Sequence, residues 1–143
     1  MIAMLNNSGA CQPPNCLCPS TSPPGNLDPK KIPQFITLTF DDSVNEPLWK
    51  SLQTAISNRT RNPNGCPLSA TFFISTQFTD YSYVQGLFSS GHEIATHTMN
   101  HVFPTTGEIN GAYTALNAYA GVPRDKIRGF RTPFLRFVSQ VRN

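Results

Sequence analysis

Three short polar clusters in the chain combine residue types that bind metal ions and transfer protons. They are Asp41-Asp42, the run His97-Thr98-Met99-Asn100-His101, and Arg131-Thr132-Pro133. Two histidines four positions apart lie on one face of a helical turn, with β-carbons about 5–6 Å apart, so both imidazoles can reach one cation. One added carboxylate completes the two-histidine, one-carboxylate set with open positions, which suits a hydrolytic Zn²⁺ or a non-haem Fe²⁺.

The adjacent aspartates can divide this chemistry between them. Neighbouring residues at a strand end point in different directions, so one carboxylate can bind the cation while the other faces a water molecule as general base. Arg131 could hold that second carboxylate through a bidentate pair. Each cluster also has a structural interpretation: a helix start with solvated histidines, an aspartate pair favoured by a helix dipole, or a surface arginine. His92 precedes a predicted strand instead of following one, and is interpreted as structural.

Alternating strands and helices are predicted to position these clusters. Short β-branched or aromatic segments predict strands over 34–40, 69–75, 93–96 and 126–130. Apolar residues at helical spacing predict a helix after an N-cap at Asn45, a second from about Asp80 to Gly91, and a third over 106–120 that ends at Gly121. This order implies parallel strands joined by right-handed crossovers, with ligands at the carboxyl ends of the strands. A closed eightfold barrel takes about 250 residues, so an open sheet or about half a barrel is expected.

Composition limits the class of protein further. The chain has 143 residues, 38% of them hydrophobic, and a formal net charge of +3, which predicts one folded domain with a core of its own. The basic residues are scattered, so nucleic-acid binding is not expected. No apolar run approaches the roughly 18 residues that a membrane helix requires. Residues 1–33 are rich in Pro, Ser, Asn and Cys, which predicts an irregular arm before a domain over 34–143.

Four cysteines favour disulfides over a zinc site. Cys11, Cys16, Cys18 and Cys66 supply no standard zinc-knuckle spacing. A bridge between Cys16 and Cys18 would close a strained loop, which leaves two pairings that tie Cys66 to the N-terminal cluster, or a partner outside this chain. Disulfides form in oxidising compartments, so an extracellular or cell-wall location is expected, although the chain carries no signal peptide.

In their order along the chain, the clusters resemble a known family of enzymes. Thr39-Phe40-Asp41-Asp42, the run 97–101 and Arg131-Thr132-Pro133-Phe134 are similar to the first three motifs of the polysaccharide deacetylases of carbohydrate esterase family 4. The resemblance spans about 30–137, and the cysteine-bearing arm with Asn64-Gly65-Cys66-Pro67 is most similar to the chitin deacetylase branch of fungi and arthropods. It implies an α/β fold, a partial (β/α) barrel with about four βα units that is not closed.

The resemblance also implies a role for each polar residue. Asp41 would be the general base, and Arg131 would orient it. Asp42, His97 and His101 would bind Zn²⁺ or another divalent ion such as Co²⁺. The implied reaction is hydrolytic removal of N-acetyl groups from chitin or a related N-acetylglucosamine polysaccharide or oligomer. The expected protein is a monomer that binds neither nucleic acid nor a membrane.

Further residues are implied to support this site. Thr98 and Pro133 would hold their loops, and the backbone N–H of Phe134 would donate to the oxyanion. The family's later motifs, which include a Leu-x-His with the general acid, are expected beyond Asn143. A chain truncated before them is expected to be weak or inactive, because general acid catalysis contributes about 10²–10⁴-fold. The alternatives are a catalytically inactive carbohydrate- or metal-binding remnant, and an unrelated doubly wound domain in which the clusters never meet.

Overall fold

A computed structural model describes residues 27–32, 35–56 and 61–136 of the chain. The chain divides into two compact units between Ile36 and Thr37. In the first unit, the short 3₁₀ helix Pro29–Lys31 is capped by Asp28, whose side chain accepts a hydrogen bond from the Lys30 N–H. The second unit holds the sheet, the α-helices and all three polar clusters.

Three parallel strands form the sheet. They are β1 (Thr39–Asp42), β2 (Thr71–Ile74) and β3 (Glu93–Thr96), in the order β1-β2-β3. In the register of the ladder Asp42 is level with Ile74, and Ile74 is level with Thr96. The carboxyl ends of the three strands therefore lie side by side at one edge, which places residues 42 and 97 at that edge.

The three predicted helices are confirmed, and so are the N-cap at Asn45 and the end of the third helix at Gly121. The helices are α1 (Glu46–Ala55), α2 (Tyr81–Ser89) and α3 (Thr106–Ala120). The side chains of Asn45, Asp80 and Thr105 each accept a backbone N–H from the first turn of the helix that follows, which satisfies donors that have no partner inside the helix. Gly121 ends α3 with a φ of 67°, the left-handed conformation that glycine adopts without steric cost.

The hydrophobic core lies between the helices and one face of the sheet. Phe72, Ile74 and Ile94 project from the strands into this layer and are at most 1% exposed. The helices and adjoining loops cover them with Val44, Leu52, Val84, Leu87, Leu116, Ala120 and Val122. The alternate residues of β2, Thr71 and Phe73, are only partly buried, because successive side chains of a strand point to opposite faces. That second face also carries Thr39 and Asp41, which are level with Thr71 and Phe73.

The predicted fourth strand over 126–130 is wrong. Arg124–Lys126 is a 3₁₀ helix, and only Phe130 pairs with β3, through a parallel bridge to Thr96. The segment approaches β3 closely at one point, because a β-carbon on Gly129 would lie 2.8 Å from the β-carbon of Ala95. The predicted α/β fold with an open, parallel sheet is confirmed, with three full βα units and a fourth segment added by one bridge.

The bounds of the first two strands differ from the prediction. β2 covers Thr71–Ile74 instead of the predicted 69–75. β1 begins at Thr39 and includes both aspartates, whereas the prediction ended at Phe40; Gln34 lies outside the described residues. The ladder between β1 and β2 has four residue pairs, and its last pair joins Asp42 to Ile74. Pairing with a neighbouring strand, a long-range contact, therefore extends β1 through a polar pair that local pattern assigns to a loop.

Most of the predicted arm, including Cys11, Cys16 and Cys18, lies outside the described residues. Cys66 is exposed and has no disulfide partner among the described residues. The disulfides remain a prediction. In the part of the chain that the structure describes, no helix is both long and apolar enough to cross a membrane.

Candidate metal centre

The carboxyl edge of the sheet brings the three polar clusters together. Asp42 ends β1, His97 follows β3, and Arg131 follows the bridge at Phe130. Backbone bonds fix this last segment, since the Thr96 N–H donates to Gly129 O at 2.9 Å and the Arg131 N–H donates to Thr96 O at 3.1 Å. Residues that are far apart in sequence therefore share one site because their strands share one edge.

His97 is the most buried of the three proposed metal donors, with 1% exposure. Its Nδ1 lies 2.7 Å from the carbonyl oxygen of Arg131, an acceptor that requires a proton on Nδ1. The second ring nitrogen, Nε2, then keeps its lone pair and faces Oδ1 of Asp42 at 3.6 Å. A histidine oriented by a backbone carbonyl in this way is typical of a metal ligand, because the hydrogen bond fixes the tautomer and the direction of the ring.

His101 reaches the same carboxylate, but not through a helical turn. Its Nε2 lies 3.1 Å from Oδ1 of Asp42, and its ring centre lies 5.1 Å from that of His97. The predicted helical turn over 97–101 is wrong: the segment is an irregular loop in which Thr98 has a φ of 71° and His101 a φ of 52°. Two left-handed residues, instead of one turn of helix, bring the second imidazole back toward the first.

Hydrogen bonds hold this ligand loop, residues 97–101, against the turn after β2. The Thr76 N–H donates to Thr98 O at 3.4 Å, and the Gln77 N–H donates to Met99 O at 2.8 Å. Thr98 is fully buried, and its hydroxyl accepts the Val102 N–H at 3.3 Å. The predicted role of Thr98 is to support the loop, and this contact is one through which it can do so.

The donor atoms fit one divalent ion. Asp42, His97 and His101 each offer one ligand atom, and the three atoms lie within 4.8 Å of one another. Tetrahedral Zn²⁺ with bonds of about 2.0–2.1 Å places its ligand atoms about 3.3 Å apart. The two measured distances to Asp42, 3.1 Å and 3.6 Å, bracket this value. Two imidazoles and one carboxylate also leave open positions for water or substrate.

Asp41 and Arg131 form an ion pair beside the three donors. Nη1 of Arg131 donates to Oδ1 of Asp41 and also to the hydroxyl of Thr39, at 3.1 Å. The predicted bidentate pair is wrong, because a single hydrogen bond, from Nη1 to Oδ1, joins Arg131 to Asp41. The guanidinium carbon lies 4.0 Å from the centre of the Phe73 ring, a distance at which a cation is attracted to an aromatic face.

Two residues that hold Arg131 were not predicted from the sequence. Thr39 and Phe73 lie on β1 and β2, on the face opposite the core. Thr39 could have been found from the two-residue period of a strand, which puts positions 39 and 41 on one face. The role of Phe73 could not have been found from the sequence. Its contact with Arg131 depends on where the segment after β3 lies relative to the sheet. The long side chain of Arg131 reaches Asp41 by crossing the Phe73 ring of β2, the strand that lies between β1 and β3.

Phe134 completes the rim of the site. Its backbone has a φ of 58° and a ψ of 17°, directly after the buried Pro133. Among the described residues no acceptor receives its N–H, and its ring meets the His101 ring edge-on with 4.5 Å between centres. The predicted role of this N–H, donation to an oxyanion, stays a prediction.

His92 lies at the amino end of β3, outside the site, as the sequence analysis expects. Its Nδ1 accepts the Ala70 N–H at 3.2 Å, and its ring packs edge-on against Phe72. Burial lowers the pKa of this imidazole, because removal from water disfavours the charged form. His92 is therefore a neutral part of the core.

Comparison with known proteins identifies the family. A family model described as polysaccharide deacetylase matches residues 28–143. Chitin deacetylase 8 of Bombyx mori is 36% identical over 138 residues, which cover 89% of this chain and 36% of that protein. Among solved structures, a family 4 carbohydrate esterase from Streptomyces lividans in complex with acetate is 26% identical, with a TM-score of 0.56 over 73% of this chain and 53% of that one.

A more distant structure supports the fold alone. The peptidoglycan deacetylase PdaC of Bacillus subtilis has a TM-score of 0.58 at 18% identity, over 74% of this chain and 52% of that one. The chain spans about half the length of these solved structures and about a third of the length of the Bombyx protein. The family match covers most of the chain and includes all three motifs at the carboxyl edge. The chain therefore belongs to the polysaccharide deacetylase family.

Proposed function

We propose that this chain is the metal-binding, base-bearing part of a hydrolase that removes N-acetyl groups from chitin or a related N-acetylglucosamine polysaccharide. The observation that carries the proposal is the convergence of Asp42, His97 and His101 beside the Asp41–Arg131 pair. Membership of the family and identity to a protein named chitin deacetylase support the substrate class.

Three side chains would hold the metal. Asp42, His97 and His101 supply one oxygen and two nitrogens, a donor set that suits Zn²⁺ and also accommodates Co²⁺. A divalent ion bound there would supply Lewis-acid activation of a water molecule and of the amide carbonyl. His97 contributes a preformed ligand, since its hydrogen bond to the Arg131 carbonyl already selects the tautomer.

Asp41 is the proposed general base. The ion pair with Arg131 fixes the direction of the carboxylate, and a carboxylate held in this way can take a proton from a positioned water molecule. Thr39 and Phe73 hold the guanidinium on its other sides, so the carboxylate keeps one orientation. Only Oδ1 of Asp41 meets the arginine. The second oxygen, Oδ2, is the proposed proton acceptor.

The backbone N–H of Phe134 is the proposed donor to the oxyanion that forms when the amide carbonyl is attacked. A fixed N–H aimed at developing charge stabilises a tetrahedral intermediate at no cost of reorganisation. The left-handed backbone of Phe134 next to the buried Pro133 gives this donor a fixed direction. The donation needs no side chain, so the proposed role belongs to the backbone of Phe134.

Acetate release tests the proposed function. We would measure it from N-acetylglucosamine oligomers with Zn²⁺ or Co²⁺, for the chain and for Asp41→Asn. The variant keeps the size of the side chain and all three metal donors, so metal affinity should be unchanged while the rate falls by about 10²–10⁴-fold. Equal background rates for both proteins, together with metal binding that His97→Ala abolishes, would contradict catalysis by this chain alone and leave it as a metal-binding protein.

A further inference from the structure

We infer that Glu108, in the first turn of α3, is a positioning residue that holds the ligand loop in the shape that brings its two histidines to one ion. The inference deepens the proposed function and rests on it. Glu108 lies outside the three polar clusters and touches none of the proposed metal donors. Its effect would pass through the backbone between His97 and His101.

The carboxylate of Glu108 collects three donors from two consecutive loop residues. Its Oε2 accepts the Met99 N–H at 2.9 Å and the Asn100 N–H at 3.0 Å, and its Oε1 accepts Nδ2 of Asn100 at 2.7 Å. Hydrogen bonds to an ionised acceptor are shorter and stronger than neutral ones. One side chain on α3 therefore fixes the peptide planes that lie between the two imidazoles.

The loop is held from its other side by carbonyl contacts. The turn after β2 donates N–H groups to the carbonyls of Thr98 and Met99, whereas Glu108 takes the N–H groups of Met99 and Asn100. Opposite ends of the same peptide dipoles are thus bound by two separate elements. Without Glu108 the N–H groups would lose their protein partner, and the loop could rotate about its remaining carbonyl contacts.

Backbone strain makes this support necessary. Thr98 and His101 both adopt positive φ angles, which are unfavourable for a residue with a β-carbon and persist only where the surroundings impose them. The side chain of Met99 also packs so closely on α3 that a β-carbon at Gly111 would overlap its sulfur atom. The loop therefore takes its shape from α3 and β2, not from its own sequence.

The ionisation of Glu108 agrees with this role. Burial raises the pKa of its carboxyl group, but the hydrogen bonds from Asn100 and Met99 outweigh that effect and lower the pKa overall. The position in the first turn of a helix also favours a negative charge. Glu108 is thus a carboxylate under the conditions in which a histidine site binds a metal.

Cobalt titration of the whole chain tests the inference, with the visible absorption of bound Co²⁺ as readout. For Glu108→Ala we expect the Co²⁺ dissociation constant to rise by about 10- to 100-fold, the usual effect of removing a partner that orients a metal ligand. The absorption band should also change shape as the imidazoles move. Glu108→Gln keeps one acceptor oxygen and should recover part of the affinity.

Thr105→Ala is the matched control. It removes the hydroxyl that caps the same helix by accepting the Glu108 N–H, so it weakens α3 without taking an acceptor from the loop. We expect a lower melting temperature and an unchanged Co²⁺ dissociation constant. Equal loss of affinity in Thr105→Ala and Glu108→Ala would overturn the inference, because helix stability alone would then explain both. If Glu108→Ala fails to fold, Glu108→Gln and Thr105→Ala give the same comparison.

The remaining outcomes separate the inference from the proposed function. Wild-type affinity in both Glu108 variants, with binding abolished in His97→Ala, would overturn the role of Glu108 and leave the metal site standing. Absence of His97-dependent Co²⁺ binding in the wild-type chain would overturn the metal site, and the role of Glu108 with it.

Discussion

The two edges of the sheet use left-handed backbone in different ways. At the amino edge, where helices and turns lead into strands, the described residues with positive φ are glycines: Gly65, Gly91 and Gly121. At the carboxyl edge they all carry side chains: Asp42, Phe78, Thr98, His101, Phe134 and Leu135. Glycine adopts this conformation without steric cost, whereas another residue loses roughly 1–2 kcal/mol.

This contrast separates folding from function within one sheet. The amino edge makes its turns with glycine, the residue that adopts this conformation without steric cost. The carboxyl edge accepts strain in residues that include two proposed metal ligands, Asp42 and His101, and the proposed oxyanion donor, Phe134. Strain of this kind is typical of sites where the direction of a side chain or an N–H matters more than stability.

The first and largest expected effect comes from placing a glycine at the carboxyl edge. Asp42 ends β1 with a φ of 79° and an exposed side chain. Asp42→Gly removes a proposed ligand, so Zn²⁺ affinity should fall by more than the roughly 100-fold that an outer partner can cost. Without metal, the free energy of unfolding should be unchanged or up to about 1 kcal/mol higher, because the strain is relieved. Calorimetric zinc titration and urea unfolding measure the two effects.

Asp42→Asn is the control for this prediction. It removes the charge but keeps a side chain that tolerates the left-handed region, so it should lose zinc affinity with no gain in stability. A large loss of stability in Asp42→Gly would contradict the view that this edge carries strain.

The same contrast explains which parts of the molecule the sequence predicts. The bounds of α3 follow from local chemistry: Thr105 caps its first turn, Glu108 stands three residues later, and Gly121 ends it. The site residues were also predictable by type, since Asp42, His97 and their partners lie at the carboxyl ends of strands in a parallel sheet.

The shape of the ligand loop was not predictable from its sequence. The spacing of His97 and His101 suits a helical turn, but tertiary hydrogen bonds from Gln77 and to Glu108 impose an irregular loop instead. The prediction of a fourth strand is wrong for a related reason. Its residues suit a strand, yet in the described part of the chain it has β3 on one side and only a single bridge. Long-range contacts decide both cases, and a local pattern does not contain them.

The second prediction places a side chain at the amino edge. Gly121 has a φ of 67°, so Gly121→Ala should lower the free energy of unfolding by about 1–2 kcal/mol. Zinc affinity should stay unchanged, because the residue is at the opposite edge from the metal donors. Gly107→Ala is the matched control: this glycine lies inside α3 without a positive φ, and alanine there should stabilise by up to about 1 kcal/mol. Loss of zinc affinity in Gly121→Ala would show that the two edges are coupled.

The third and smallest expected effect concerns the histidine at the amino edge. Burial holds the pKa of His92 below its ordinary value of about 6.5, so the unfolded chain takes up a proton more readily than the folded one. The contribution of His92 to the free energy of unfolding is therefore complete above about pH 6.5. It is lost as the pH falls toward the lower pKa of the folded state. For one titrating group, the free energy of unfolding changes by at most about 1.4 kcal/mol per pH unit.

His92→Asn isolates this contribution. The asparagine oxygen can accept the Ala70 N–H in place of Nδ1 but does not titrate, so the stability advantage of the wild type should shrink between pH 8 and pH 5. Urea unfolding of both proteins in a metal chelator measures the difference, in which the other titrating groups cancel. A constant difference across this range would mean that His92 keeps the same pKa on unfolding. His92 would then stabilise the fold through packing alone. The difference between the two edges would consist of the backbone strain and the metal donors at the carboxyl edge.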